Sequence, residues 1–158
     1  MVPMEVLTLA AAVGAAVAGG VFFAFSTFVM KALADLPPAD GVVAMQSINR
    51  RAPSPSFMAL LFGTAALCVA LVVSAILRWD ESSAPYQLAG AVTYLVAIVL
   101  TIAYHVPRND ALARVDPDSA GAEAAWSRYL AEWVPWNHVR TLTSVGSAVL
   151  FALALRAD

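Results

Sequence analysis

Four stretches of this chain, residues 6–30, 57–77, 86–104 and 141–155, carry no charged side chain. Between and beside them, polar residues gather at a few borders: Asn49, Arg50 and Arg51; His105, Arg108 and Asn109; Asn137, His138 and Arg140. A helix needs about 20 residues to cross a hydrocarbon core about 30 Å thick, and the first three stretches meet that length. The fourth reaches only about 22 Å at about 1.5 Å per residue, which draws His138 and Arg140 to the membrane boundary or into the bundle. The pattern predicts an all-α fold, a four-helix transmembrane bundle in a single integral membrane domain over residues 1–158. Its spans fall at about 5–31, 56–78, 85–105 and 137–156.

Each long linker holds its own helix in this reading. In the first, Pro37-Pro38-Ala39-Asp40 starts a helix whose Val42, Val43, Met45 and Ile48 recur at amphipathic spacing until Pro53-Ser54-Pro55 stops it. In the second, Asp118 or Ser119 caps a helix carrying Ala122, Trp126, Tyr129 and Trp133 that ends before Pro135. These short interfacial helices either cover the mouth of the bundle or lie among headgroups, which Trp and Tyr favour.

Composition agrees with the pattern. Hydrophobic residues make up 61% and charged residues 13%, against about 25% charged in soluble domains, and mean hydropathy is +0.75. A net charge of −2 provides no basic field, so nucleic acid is excluded as a partner and membrane lipid is expected. With four spans, both long linkers share one side. Lys31, Arg50, Arg51, Arg108, Arg114, Arg128 and Arg140 lie there, against Arg78 and Arg156 opposite, which points that side toward the cytoplasm, with the plasma membrane as the expected location. Met1 to Glu5 holds no Lys or Arg, so the first stretch is expected to be a retained helix. Small residues at four-residue spacing, Ala11, Ala15 and Gly19 beside Gly14 and Ala18, predict close helix packing and, in so small a bundle, a homo-oligomer.

The candidate chemistry lies at the linker-bearing end. Pro107 disfavours helix at Val106, which predicts His105 at a helix end with Arg108 and Asn109 just outside. Asn137 is the expected N-cap of the fourth span. It would bring free amides, the positive end of the helix dipole and Arg140 together, a setting for an anion or oxyanion. Asn49 and Arg50 join that face, where a guanidinium suits a phenolate, enolate or carboxylate. Arg51 fits headgroup anchoring. Phe22, Phe23, Phe25 and Phe28 are candidates for an aromatic wall, with Trp136 beside the cluster, although helical aromatic stripes often serve packing alone. The two histidines lack a metal-ligand spacing, although two axial histidines suffice geometrically for haem. No serine sits in a nucleophile elbow, and Cys68, inside the second stretch, is expected to pack as a small hydrophobe.

Four segments carry a resemblance over almost the whole chain: Gly20-Val21-Phe22-Phe23-Ala24-Phe25-Ser26; Met45-Gln46-Ser47-Ile48-Asn49-Arg50; His105-Val106-Pro107-Arg108-Asn109; and Trp133-Val134-Pro135-Trp136-Asn137-His138-Val139-Arg140-Thr141. Together they resemble the anthrone oxygenase-like membrane family, formerly a domain of unknown function. The resemblance implies oxidation of an aromatic polyketide or phenolic substrate by dioxygen through a stabilised enolate, with no metal or other cofactor. It implies a hydrophobic aromatic small molecule and dioxygen as partners. His105 or His138 is then the base, with Asn137 and Arg140 in the catalytic group. Arg108, Asn49 and Asn109 also hold the enolate oxygen, and Arg50, Trp136 and Phe25 complete the binding set. The alternative is a non-enzymatic membrane subunit, or a carrier of an amphipathic aromatic ligand.

Overall fold

The computed structural model describes residues 4–157, and within them all regular structure is helical. In chain order the α-helices are α1 (Met4–Ala24), α2 (Met30–Ala34), α3 (Pro38–Arg51), α4 (Pro55–Leu77), α5 (Ala84–Leu100), α6 (Val106–Ala113) and α7 (Ala122–Ala157). Two π turns, Phe25–Val29 and Thr101–His105, join α1 to α2 and α5 to α6 without breaking the rod. Four helical rods therefore have the length and apolar character to cross a membrane: Met4–Ala34, Pro55–Leu77, Ala84–Ala113 and Ala122–Ala157. The protein is an integral membrane four-helix bundle.

The rods pack in a ring, α1 against α4, α4 against α5, α5 against α7 and α7 against α1, each antiparallel to its neighbours. The Ser82 hydroxyl, in the short α4–α5 turn, donates to the Ala157 carbonyl at 2.8 Å. That bond fixes the α7 terminus and the short turn at one end of the bundle, and the long linkers at the other. Large apolar side chains such as Leu77, Leu142 and Val99 point outward, as they must where the surrounding solvent is hydrocarbon. Burial of apolar area gains little between helices in lipid, so close backbone approach supplies the cohesion. At the α1–α4 crossing, a Cβ on Gly14 would collide with the Thr64 hydroxyl, and only glycine allows that contact. Ala11, Ala15, Cys68, Leu71, Tyr94 and Phe151 fill the dry centre.

α3 forms where the sequence places it. Pro38 opens it, and Ser54 accepts from the Phe57 amide at 3.4 Å to cap α4 after the intervening turn. It lies across the linker end, held by Gly41 against the Trp126 ring, where a Cβ would meet ring atoms at 2.8 Å. Gln46 Nε2 also donates to the Leu112 and Val115 carbonyls, both at 2.9 Å. Met30, Val42, Met45, Leu112, Trp126, Tyr129 and Trp133 form a second apolar core beneath it.

Three local expectations are corrected. The second linker has no separate interfacial helix, because α7 runs unbroken through Pro135. Pro135 leaves the Ala131 carbonyl without its helical donor, and beside it the Tyr104 hydroxyl donates to the Glu132 carbonyl at 3.2 Å. Asn137 is consequently mid-helix and caps nothing. His105 does not end its helix either, since the rod continues through Val106 and Pro107 into α6.

Candidate functional site

A cavity of about 510 Å³ opens at the linker end, between the first π turn, α3, α4, the second π turn and α7. Its walls are largely apolar, with Phe22, Phe25, Met45, Phe57, Leu61 and Trp133 among them. Four polar residues singled out in the sequence, Asn49, His105, Asn109 and Arg140, line the same space.

Arg140 is the unusual member. It is 5% exposed, and among the described residues no carboxylate pairs with it. One Nη donates to Thr101 Oγ1 at 3.1 Å and the other to Asn137 Oδ1 at 2.7 Å, while Nε has no partner. The guanidinium carbon stands 4.3 Å from the Phe22 ring centroid and 5.2 Å from that of Trp133. Aromatic faces offset part of the cost of burying a cation, but they supply no countercharge. A cation buried this far is ordinarily paired.

Asn137 positions Arg140. Its side chain is wholly buried, and its Nδ2 donates to the Phe22 carbonyl and to Ser26 Oγ, both at 2.8 Å. That leaves Oδ1 for the guanidinium, which can only donate. Ser26 in turn lies 3.0 Å from the Thr141 hydroxyl. The arrangement ties α7 to α1 directly behind the cavity.

His105 is 1% exposed and sits at the end of the second π turn. Its Nδ1 lies 3.1 Å from the Leu100 carbonyl. A carbonyl only accepts, so this bond selects the neutral tautomer with hydrogen on Nδ1 and a lone pair on Nε2. Nε2 has no partner, and the ring stands edge-on to Trp133 at 5.0 Å. Asn49 contributes a third unpartnered buried atom, Nδ2. The cavity border thus holds two unused donors and one unused acceptor. Asn109 is already engaged, its Oδ1 accepting from the Tyr129 hydroxyl at 2.8 Å and Trp133 Nε1 at 3.0 Å.

Both π turns border the cavity, and side chains serve the carbonyls around them. Thr27 donates to the Phe23 carbonyl at 2.7 Å and Thr101 to that of Ala97 at 2.8 Å. A π turn inserts one residue into the helical register and re-aims the side chains beyond it, which is why such turns recur at functional sites.

The remaining candidates lie elsewhere. His138 is exposed on the outer side of α7, and Arg50 is exposed on α3. Arg108 pairs with Glu132 at 2.9 Å and stacks on the Tyr104 ring at 3.3 Å. Trp136 packs on Tyr104 at 5.0 Å, largely exposed. None of these four lines the cavity. Phe22 and Phe25 do, whereas Phe23 and Phe28 face outward. Arg51, which the sequence assigns to headgroups, is at the cavity edge, and the structure adds Thr101 and Trp133 to the site. Spacing on one continuous α7 could have revealed Trp133, since it falls four residues before Asn137 and seven before Arg140.

Among the described residues no three His, Cys, Asp or Glu side chains gather in a way that could hold a metal ion. No curated protein and no solved structure matches the chain. A family model for anthrone oxygenase matches residues 56–150, a region holding His105, Asn109, Trp133, Asn137 and Arg140 and covering more than half of the sequence. The chain belongs to the anthrone oxygenase family.

Proposed function

We propose that this protein oxidises an anthrone-like aromatic ketone to the corresponding quinone with dioxygen, within the cavity and without a bound cofactor. The observation that carries the reading is Arg140, a buried guanidinium in the wall of an apolar cavity that pairs with no carboxylate among the described residues and whose Nε has no partner. A planar aromatic that becomes an oxyanion supplies the missing countercharge and fills the apolar walls. The cavity volume lies within the range of about 300–1,000 Å³ usual for small-molecule sites.

In this mechanism His105 Nε2 removes a proton from the methylene para to the ketone. The electron pair moves onto the ketone oxygen, and Arg140 Nε and Asn49 Nδ2 donate to the resulting enolate. The enolate passes one electron to dioxygen, and the radical pair combines at the former methylene carbon. The peroxide anion recovers the proton from His105, and loss of water leaves the second carbonyl. The methylene gives up four electrons, one oxygen atom enters the quinone and the other leaves as water. His138, on the outer surface, has no part in it.

The linker end faces the cytoplasm in this proposal, on the bias of Lys and Arg toward that side. The Glu123→Cys variant should then be shielded from an impermeant thiol reagent in intact cells; labelling there would invert the orientation.

Oxygen uptake by the purified protein tests the function. Addition of a simple anthrone should consume one dioxygen per quinone formed. A ligand bound and returned unchanged, with no uptake, would replace the oxidase with a carrier.

A further inference from the structure

α3 lies over the water-facing end of the cavity, with Met45 and Trp133 packed in the second apolar core and Gln46 fastening α3 to the end of α6. The cavity also opens at the side. α4 packs along α5, yet it meets the second π turn and α6 at most glancingly, so the two rods part where the cavity lies. Three cavity-lining side chains stand on the rims of that gap and are also among the exposed apolar residues: Phe62 on α4 at 47%, Ile102 at 53% and Val106 at 43%. Phe62 is seven residues into α4, about 10 Å below its start at about 1.5 Å per residue, a depth within hydrocarbon. Arg51, exposed at the C-terminal end of α3, forms the polar upper edge of the same mouth.

We infer that the gap between α4 and the second π turn is a lateral portal, through which a membrane-dissolved aromatic ligand enters the cavity from the lipid. Phe62, Ile102 and Val106 set its width. The physical case is one of continuity. A polycyclic aromatic partitions into the bilayer, and a mouth with apolar rims at that depth lets it pass from lipid to the Phe22 and Trp133 walls without meeting water. A route under α3 would require displacing its apolar core, and one past Arg51 and Pro53 would take the ligand through water. Arg51 matches the depth of headgroups and of any oxygen on the ligand that remains near them. The inference rests on reading the cavity as the binding site for such a ligand, and it adds where the ligand is drawn from.

The test uses the full chain reconstituted in phosphatidylcholine vesicles, with 9,10-anthraquinone as an unreactive probe and tryptophan quenching as the readout. Association should follow the probe's mole fraction in lipid and stay constant when its aqueous concentration is varied at fixed mole fraction. Ile102→Phe should slow association by at least about tenfold, within the span of on-rate changes among variants of one interface. Ile102→Ala should speed it, and Val99→Phe, on the lipid-facing side of α5 outside the cavity, should change nothing. Rates that track aqueous concentration, or equal rates in the narrowed and widened variants, would overturn the portal, as would absence of quenching in the unsubstituted protein. Portal behaviour without oxygen uptake from anthrone would overturn the oxidase and leave the portal standing.

Discussion

The two ends of this bundle are built from the same four rods to opposite designs. Toward the short turn, small residues bring helices into contact: a Cβ on Gly90 would stand only 3.0 Å from the Phe151 ring, and at mid-bundle Gly14 meets Thr64. There the Ser147 hydroxyl donates to the Gly90 carbonyl at 2.7 Å and Gln87 Nε2 to Thr8 Oγ1 at 3.4 Å, while the buried Ser83 hydroxyl has no partner. At the linker end, two π turns, a buried cation that pairs with no carboxylate among the described residues, and unpartnered atoms on Asn49 and His105 surround an open volume. The difference teaches that cohesion and chemistry are separated along the bundle axis. The closed end holds the rods so that the other end can keep polar groups unsatisfied.

Substitutions at the two ends should therefore fail differently. The largest effect is expected at His105. Removing a general base costs about 10²–10⁴-fold, so His105→Ala should lose that much in kcat while anthraquinone still binds, and His138→Ala should retain full turnover. An undiminished rate in His105→Ala would remove the base from the mechanism. Arg140→Met should come next, with about 10²–10³-fold lower kcat, the usual cost of losing an oxyanion donor. Its thermal midpoint should equal or exceed the parent's, because a buried charge without a countercharge is itself a burden on the fold. A large drop in midpoint would make Arg140 structural.

The close-packed body of the bundle should show the reverse. Gly14→Leu forces a side chain into Thr64 and should cost about 1–3 kcal/mol of stability, read as a lowered thermal midpoint, while protein that remains folded binds the probe unchanged. The smallest effect is expected at Arg108 and Glu132, a partly exposed pair worth about 0–1 kcal/mol. Glu132→Gln should alter turnover and thermal midpoint only slightly; a collapse of turnover would bring Arg108 into the site after all.

The sequence makes the closed end easy to read and the open end hard. Uncharged length and small-residue spacing are properties of straight helices, and they locate four rods. The open end departs from straight helices. A proline ordinarily ends a helix, and that rule separates Trp133 from Asn137 and Arg140 at Pro135, although one α7 carries all three. The same rule turns Asn137 into a cap when it is a buried clamp on α1. π turns have no sequence signature, so the setting of His105 is visible only in the fold. Arg50 and Arg51 are chemically identical neighbours, and helix rotation alone decides that Arg51 reaches the cavity. Asn49, His105 and Arg140 are legible because uncharged surroundings make any polar group conspicuous.

The central claim is that His105 generates, and Arg140 holds, an oxyanion in this cavity. Anaerobic titration of the purified protein with anthrone, monitored by absorption spectroscopy, tests it without the oxygen step. The account predicts the red-shifted band of the enolate in the parent protein, its absence in His105→Ala and Arg140→Met, and its conversion to the quinone spectrum when oxygen is admitted. Bound anthrone that keeps its ketone spectrum in the parent protein would contradict it.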